Sequence, residues 1–343
     1  MIEDVVITGA GCVTARAPAA PALLRPDDGA AAAGPQRLPE PLPRPAAWAC
    51  KPPRLGRMDR FSQVALLAAH EAFAAARLGD GAAGEALGVV LGTAFGCHAV
   101  NEEFYRGLLA GGPAGASPLR FAATLPSTPA GEIAIAFGAR GPALTFAHGW
   151  DAGLGAIAEG ARLVGGGRAA AVLAGGADVL SPTLEELLGD WGYGLAPAEG
   201  AAFVALERAT AAAARGAPAL AIVRGAGAAF GPAPGRRTAL AQAARLALAE
   251  AGVAPGALTA VLCATAPEDD LGALAPLGLG ATPAPFAPAL GVTFGAGGPA
   301  AVVQAALGGR GATLVCASDP LGGATALVLT AAGVAPPSTC GAG

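Results

Sequence analysis

Residues 141–180 read GPALTFAHGWDAGLGAIAEGARLVGGGRAAAVLAGGADVL. An apolar run, a Gly-containing turn, a helix of small residues, a glycine stop and a second apolar run follow in order, which predicts strand, turn, helix and buried strand. A sharp strand-to-helix turn of this kind often presents a Ser or Cys at the helix N-terminus. Here the turn carries His148, Gly149, Trp150 and Asp151, none of which is a conventional acyl nucleophile there.

Working outward, the chain echoes itself. Residues 60–96 and 237–266 each read as an Ala-rich amphipathic helix, a Gly-containing loop and a strand, and ALGVVLGTA resembles ALTAVLCATA. Residues 156–178 and 300–319 each read as a helix, a GGR-type stop and a buried strand ending in Asp178 or Asp319. Two echoes in the same order predict a duplicated architecture. Strands are expected at 5–8, 88–91, 144–147, 170–174, 202–206, 221–223, 260–263, 313–316 and 326–329. Helical patterns separate several of them, which argues for α/β layers. The Pro- and Ala-rich stretch 16–53 reads as a long surface excursion, and 334–343 as a flexible tail.

Composition narrows the function. Hydrophobic residues make up 53% of the 343 and mean hydropathy is +0.53, but much of this is Ala. No uninterrupted apolar run reaches the roughly 18 residues a spanning helix needs, so no membrane role is expected. The opening MIEDVVITGAG lacks a basic segment ahead of an apolar one, so a secretory signal is not expected and a cytoplasmic location is. A net charge of −4 implies no broad nucleic-acid surface. Lys51 is the sole lysine, which excludes a Schiff base elsewhere. Cys12, Cys50, Cys97, Cys263, Cys316 and Cys340 form no metal-type spacing, and with three histidines no zinc site is expected. Most of these cysteines read as small buried hydrophobes beside strands.

Seven segments, in order, then carry a resemblance: VVITGAGCVTA, RMDRFSQVALLAAHEAF, GVVLGTAFG, PSTPAGEIAIAFGARGPALT, GRAAAVLAGGADVL, AEGAAFVALER and DPLGGATALVL. Together they resemble the β-ketoacyl synthases of fatty-acid and polyketide assembly, across nearly the whole chain. The resemblance implies a thiolase-like five-layered αβαβα sandwich of two duplicated halves, assigned here to 1–210 and 211–333, and a dimer. A competing dinucleotide-binding reading of GAGCVT fails because Thr14 takes the third glycine position and a Pro-rich stretch follows.

The resemblance also implies catalytic positions, and this chain departs at each. Trp150 stands at the cysteine nucleophile position, Thr265 nearest one histidine, Val292 at the second histidine, Ala287 at a lysine and Leu321 at a gating phenylalanine. Condensation needs a thiolate to accept an acyl chain and donors to stabilise developing charge. Indole, Thr and Val side chains do not supply those functions, so no catalytic residue is expected. Asp151 suits a helix start but would oppose formation of a neighbouring thiolate.

Among family members, the chain length factors of type II polyketide synthases also lack the nucleophile and pair with an active ketosynthase. The expected role is therefore a non-catalytic, chain length factor-like subunit that shapes the tunnel for chains tethered by phosphopantetheine to acyl carrier protein, with no cofactor of its own. By that resemblance Phe121, Thr124, Leu125 and Thr128 line the tunnel, and Leu144, Thr145 and Phe146 lie on the strand that pairs across the dimer. Phe121 and Leu125 also read as ordinary interface core. Trp150 is read as a plug for the vacated site or, alternatively, as a residue touching the chain. His148 and Cys97–His98 read as structural. Alternatives are a carrier-protein docking scaffold, with Arg57, Arg60, Arg106, Arg162 and Arg168 as a patch, or a priming decarboxylase.

Overall fold

The computed structural model describes residues 3–25, 34–49, 55–79, 86–191, 196–231, 236–264, 271–286, 290–309 and 311–332. Thr265, Ala287, Cys50, Lys51, Cys340 and the 334–343 tail lie outside them. The first half supplies β1 (Val5–Thr14), α1 (Arg60–Ala75), β2 (Leu87–Thr93), α2 (His98–Gly111), α3 (Pro118–Ala122) and α4 (Thr128–Phe137). It continues through β3 (Ala143–Ala147), α5 (Ala152–Gly165), β4 (Ala171–Asp178), α6 (Pro182–Asp190), β5 (Gly200–Arg208) and α7 (Ala209–Ala214). The second half supplies β6 (Ala221–Phe230), α8 (Arg236–Ala251), β7 (Leu258–Ala264), β8 (Pro283–Pro285), α9 (Gly297–Gly308), β9 (Ala312–Ser318) and β10 (Gly323–Ala331).

The strand order across the sheet is β3-β2-β4-β5-β1-β6-β10-β9-β7-β8. Counted within each half, the first runs 3-2-4-5-1 and the second 1-5-4-2-3, the same order reversed. The two echoes in the sequence occupy equivalent places: α1–β2 matches α8–β7, and α5–β4 matches α9–β9. The fold is α/β and duplicated. One core joins α5 and α9 to strands of both halves, a second packs α1 on the first half, and a third packs α8 on the second. The two halves of this one sheet thus each carry an outer helix, α1 or α8, on one face, with α5 and α9 packed on the other.

Glycines explain why the outer helices sit so close. A Cβ at Gly9 or Gly11 of β1 would lie 2.1 Å from the Ala72 or Ala68 carbonyl oxygen of α1. On β6, Gly225 and Gly227 meet Ala247 and Ala243 of α8 in the same way, at 2.4 and 2.1 Å. The glycines of GAGCVT therefore admit a helix onto a strand. Asp59 caps α1, accepting from the Ser62 N–H at 3.0 Å.

Every expected strand is present, most of them longer than expected. β4 runs on to Asp178 and β6 to Phe230, through Gly- and Ala-rich sequence that gives little alternation to read. β8 was not expected, and its prolines fit a sheet edge. The 16–53 excursion is partly built into the body. Gln36 bridges Ala198, Leu38 and Leu42 are buried, and Ala20–Leu24 forms a 3-10 helix. Buried Glu199 anchors it, accepting from the Leu38 and Leu180 N–H groups and from Arg60 at 2.7 Å.

Candidate functional site

The strand-to-helix turn lies between β3 and α5. Gly149 has φ of 140°, a conformation that side chains resist, and the Asp319 carboxylate fills the place its Cβ would take. Trp150 points inward and is 4% exposed. Its ring meets Phe294 edge-on with centroids 5.2 Å apart, and Phe294 meets Phe95 edge-on at 4.9 Å. Leu180 and Leu184 complete the buried cluster, with Val292, Ala94 and Leu188 packed against it. The structure thus brings Trp150 and Val292, two of the five positions picked out as altered, into one aliphatic and aromatic cluster.

The partners of Trp150 were missed by sequence reasoning. Leu180 comes from the segment leading into α6, Leu184 from the first turn of α6, and Phe294 from the 3-10 turn Phe294–Ala296 before α9. Phe294 holds φ of 48°, a strained value for a bulky residue. Nothing in the local sequence pattern marks these three as neighbours.

The strand-ending aspartates form a reciprocal pair of contacts. Asp178, at the end of β4, accepts from the N–H groups of Ala94 and Phe95 and from Thr93 Oγ1 in the first half, and from Gly295 N–H, just before α9 of the second, at 2.8 Å. Asp319, just after β9 of the second half, accepts from Trp150 N–H, just before α5 of the first, at 2.9 Å. Each half therefore finishes the start of the other's central helix. Burial lifts Asp178 to about 6, against the opposing pull of its four donors. Burial also raises Asp319. The echo of two strands ending in Asp was the available signal; their partners were not legible.

The rest of the turn differs from expectation. Asp151 is the N-cap of α5 but makes no side-chain capping bond; its carboxylate turns to Thr325 Oγ1 at 2.8 Å. His148, read as a core or interface histidine, has a half-exposed side chain, which sets the core alternative aside, with Nδ1 3.6 Å from Asp151 Oδ1. The Asp151 contact raises the His148 pKa, against a smaller opposing effect of burial. Both line a groove of about 470 Å³ with Phe146, Phe230 and Thr325.

Phe121, Thr124, Leu125 and Thr128 sit apart from the Trp150 cluster, on α3, the loop after it and the first residue of α4. Phe121 and Leu125 are exposed. Thr124 Oγ1 donates to Phe121 O at 2.7 Å, and Cys97 Sγ donates to Thr124 O at 2.9 Å, linking this segment to the start of α2. Burial raises the Cys97 thiol pKa. Leu144, Thr145 and Phe146 lie on β3, the edge of the sheet, with Leu144 exposed. Ile135 of α4 and Tyr105 and Leu109 of α2 are exposed as well. Arg60, offered for a docking patch, is instead held by buried Glu199, and Arg106 and Arg162 pair with Glu102 and Glu159. Among the described residues no group of His, Cys, Asp and Glu is placed to hold a metal, and no helix is long and apolar enough to cross a membrane.

Comparison with known proteins gives consistent relatives. Residues 42–187 match the β-ketoacyl synthase N-terminal domain. Nodulation protein E of Rhizobium sp. (strain N33) is 32% identical over 190 residues, covering 51% of this chain and 47% of the relative. The chain thus spans about half the length of that curated relative. The ishigamide ketosynthase/chain length factor structure superposes with a TM-score of 0.78 at 26% identity, over 96% of this chain and 100% of that one. AntDE:AntF, a type II PKS acyl-carrier protein in complex with its ketosynthase bound to the hexaketide, superposes with a TM-score of 0.82 at 22% identity, over 96% and 100%. Residues 42–187 accordingly resemble a β-ketoacyl synthase N-terminal domain, within a chain whose fold matches the thiolase-like fold of these structures.

Proposed function

We propose that this chain is a non-catalytic, chain length factor-like subunit that pairs with an active ketosynthase and shapes the tunnel into which a carrier-bound polyketide or polyene chain grows. The observation that carries the reading is the packing of Trp150 with Val292, Phe294 and Phe95. A thiolate and its imidazole partners would need that space, and an indole cannot accept an acyl group. Structural likeness to the ishigamide ketosynthase/chain length factor supports the same role. The partner would cover the β3 edge and the exposed apolar residues of α2 to α4, since an open edge beside apolar surface invites association. Thr124, Leu125, Thr128 and Phe121 would line the tunnel on that face. A priming decarboxylase is disfavoured by Val292 at a position where a histidine is needed.

The test is co-expression with candidate active ketosynthases, purification through a tag on one subunit, and native mass measurement. A 1:1 complex that elongates only with both subunits present is expected. Enlarging Thr124 or Thr128 to Phe should then shorten the product. An intact, active complex whose product spectrum is unchanged by either substitution would instead favour a docking scaffold. A homodimer indifferent to the ketosynthases removes the pairing altogether.

A further inference from the structure

Among the described residues four cysteines are free thiols, and two of them face one another. Cys263 of β7 and Cys316 of β9 are register partners on adjacent parallel strands. Residues paired in this way point to the same side of a sheet. Both belong to the core beneath α8, where they are 1% and 0% exposed, and their thiols are hydrogen-bonded to each other. Neighbouring strands lie about 4.8 Å apart, inside the roughly 4.4–6.8 Å between Cα atoms that a disulfide accepts. The Cys263 thiol beside it, together with burial, pushes the Cys316 thiol well above its ordinary range. The thiolate is the nucleophile in disulfide exchange, so the closed core holds the pair inert. The way in is the sheet edge. There β7 is flanked by β8, which is three residues long and ends the sheet. Its Pro283 and Pro285 pair with Val261 and Cys263 but have no N–H to donate. Such an edge opens at less cost than the strands inside it.

We propose that Cys263 and Cys316 are a reversible dithiol–disulfide pair, oxidised by a small disulfide of the glutathione type when the β7–β8 edge opens. One protein thiol loses its proton and attacks the small disulfide, which forms a mixed disulfide and releases one small thiolate. The second protein thiol, deprotonated in turn, displaces the remaining half. Both protein sulfurs are then oxidised, one small disulfide is reduced to two small thiols, and those thiols take up the two protons. β7 ends one residue before Thr265 and β9 one residue before Asp319, so the bond ties together the strands that deliver both loops. Two cysteines that read locally as small hydrophobes thus form a modification site, whether or not the chain pairs with a ketosynthase.

The experiment incubates the full chain with oxidised glutathione at urea concentrations running from zero through the unfolding midpoint seen by circular dichroism. Free thiols are then blocked, and the unreduced chain is cut at arginine and at the acid-labile Asp319–Pro320 bond. These cuts place Cys263 in residues 246–310 and Cys316 in residues 311–319, apart from Cys340. Mass spectrometry should find the two fragments joined with the loss of two hydrogens while the chain is still folded. The yield should rise with urea below the midpoint and vanish after treatment with dithiothreitol. A lasting glutathione adduct on either cysteine in place of the link, or no link while the chain remains folded, overturns the proposal. So does a link that appears only above the midpoint, where any two cysteines of an unfolded chain can meet.

Discussion

Replacing Trp150 by alanine removes the largest side chain of the buried cluster and leaves Phe294, Leu180 and Leu184 facing a void. Truncating a buried aromatic to alanine costs about 3–5 kcal/mol, combining lost transfer energy with the residual cavity. The edge-on contact with Phe294 accounts for roughly 0.5–1.5 kcal/mol of that. Unfolding entropy of about 2.1 cal/mol/K per residue, over this length of chain, gives about 0.7 kcal/mol/K. The loss therefore corresponds to a fall in Tm of about 4–7 °C. Urea unfolding monitored by circular dichroism measures the free energy directly, and calorimetry gives the Tm. Trp150→Phe, which refills much of the space, should lose less than half as much. An apolar cavity of this kind stays dry and binds small aromatics, so benzene should raise the Tm of the alanine variant and not of wild type. A loss below about 1 kcal/mol, with no response to benzene, would mean that the indole does not fill a core and would refute the plug.

Three further outcomes follow from neighbouring contacts. Arg60→Ala strips buried Glu199 of its close cation and should cost about 3–5 kcal/mol in urea unfolding, while Arg60→Met with Glu199→Leu should recover most of it. Asp178 has a folded pKa raised above its unfolded value, so the folded state holds its proton more tightly and this group's contribution to stability falls as pH climbs from about 4 to about 6. Asp178→Asn should flatten that part of the stability–pH profile, and an unchanged slope would assign it to other groups. Gly149→Ala places a methyl group against the Asp319 carboxylate at positive φ and should cost more than about 1 kcal/mol in the same assay.

Periodicity revealed the architecture because the buried strands are short apolar runs and the echoed segments keep their order. It failed at the strand ends, where Ala and Gly carry weak alternation, and at β8, where proline argued against a strand. Altered positions were readable wherever a motif supplied a register, as for Trp150 and Val292. The groups around them were not. Phe294 and Phe95 come from distant segments, and Asp151 breaks its helix-start pattern to bond Thr325 across 174 residues. Long-range polar contacts such as Arg60 to Glu199 leave no periodic trace, so an arginine that reads as exposed is in fact committed to the interior.

The crossed aspartates bear on how the chain comes to be folded at all. With Asp178 bonded ahead of α9 and Asp319 ahead of α5, neither half completes its own central helix start, and the helices share one core. A half synthesised alone would expose that core and leave one cluster of backbone donors without its acceptor. Contacts of such sequence separation also make folding slow and late to commit. A chain cut between α7 and β6 should therefore yield two fragments that stay unfolded apart and regain structure only on mixing. The duplication behaves less as two repeats in series than as an obligate dimer whose subunits happen to share one peptide.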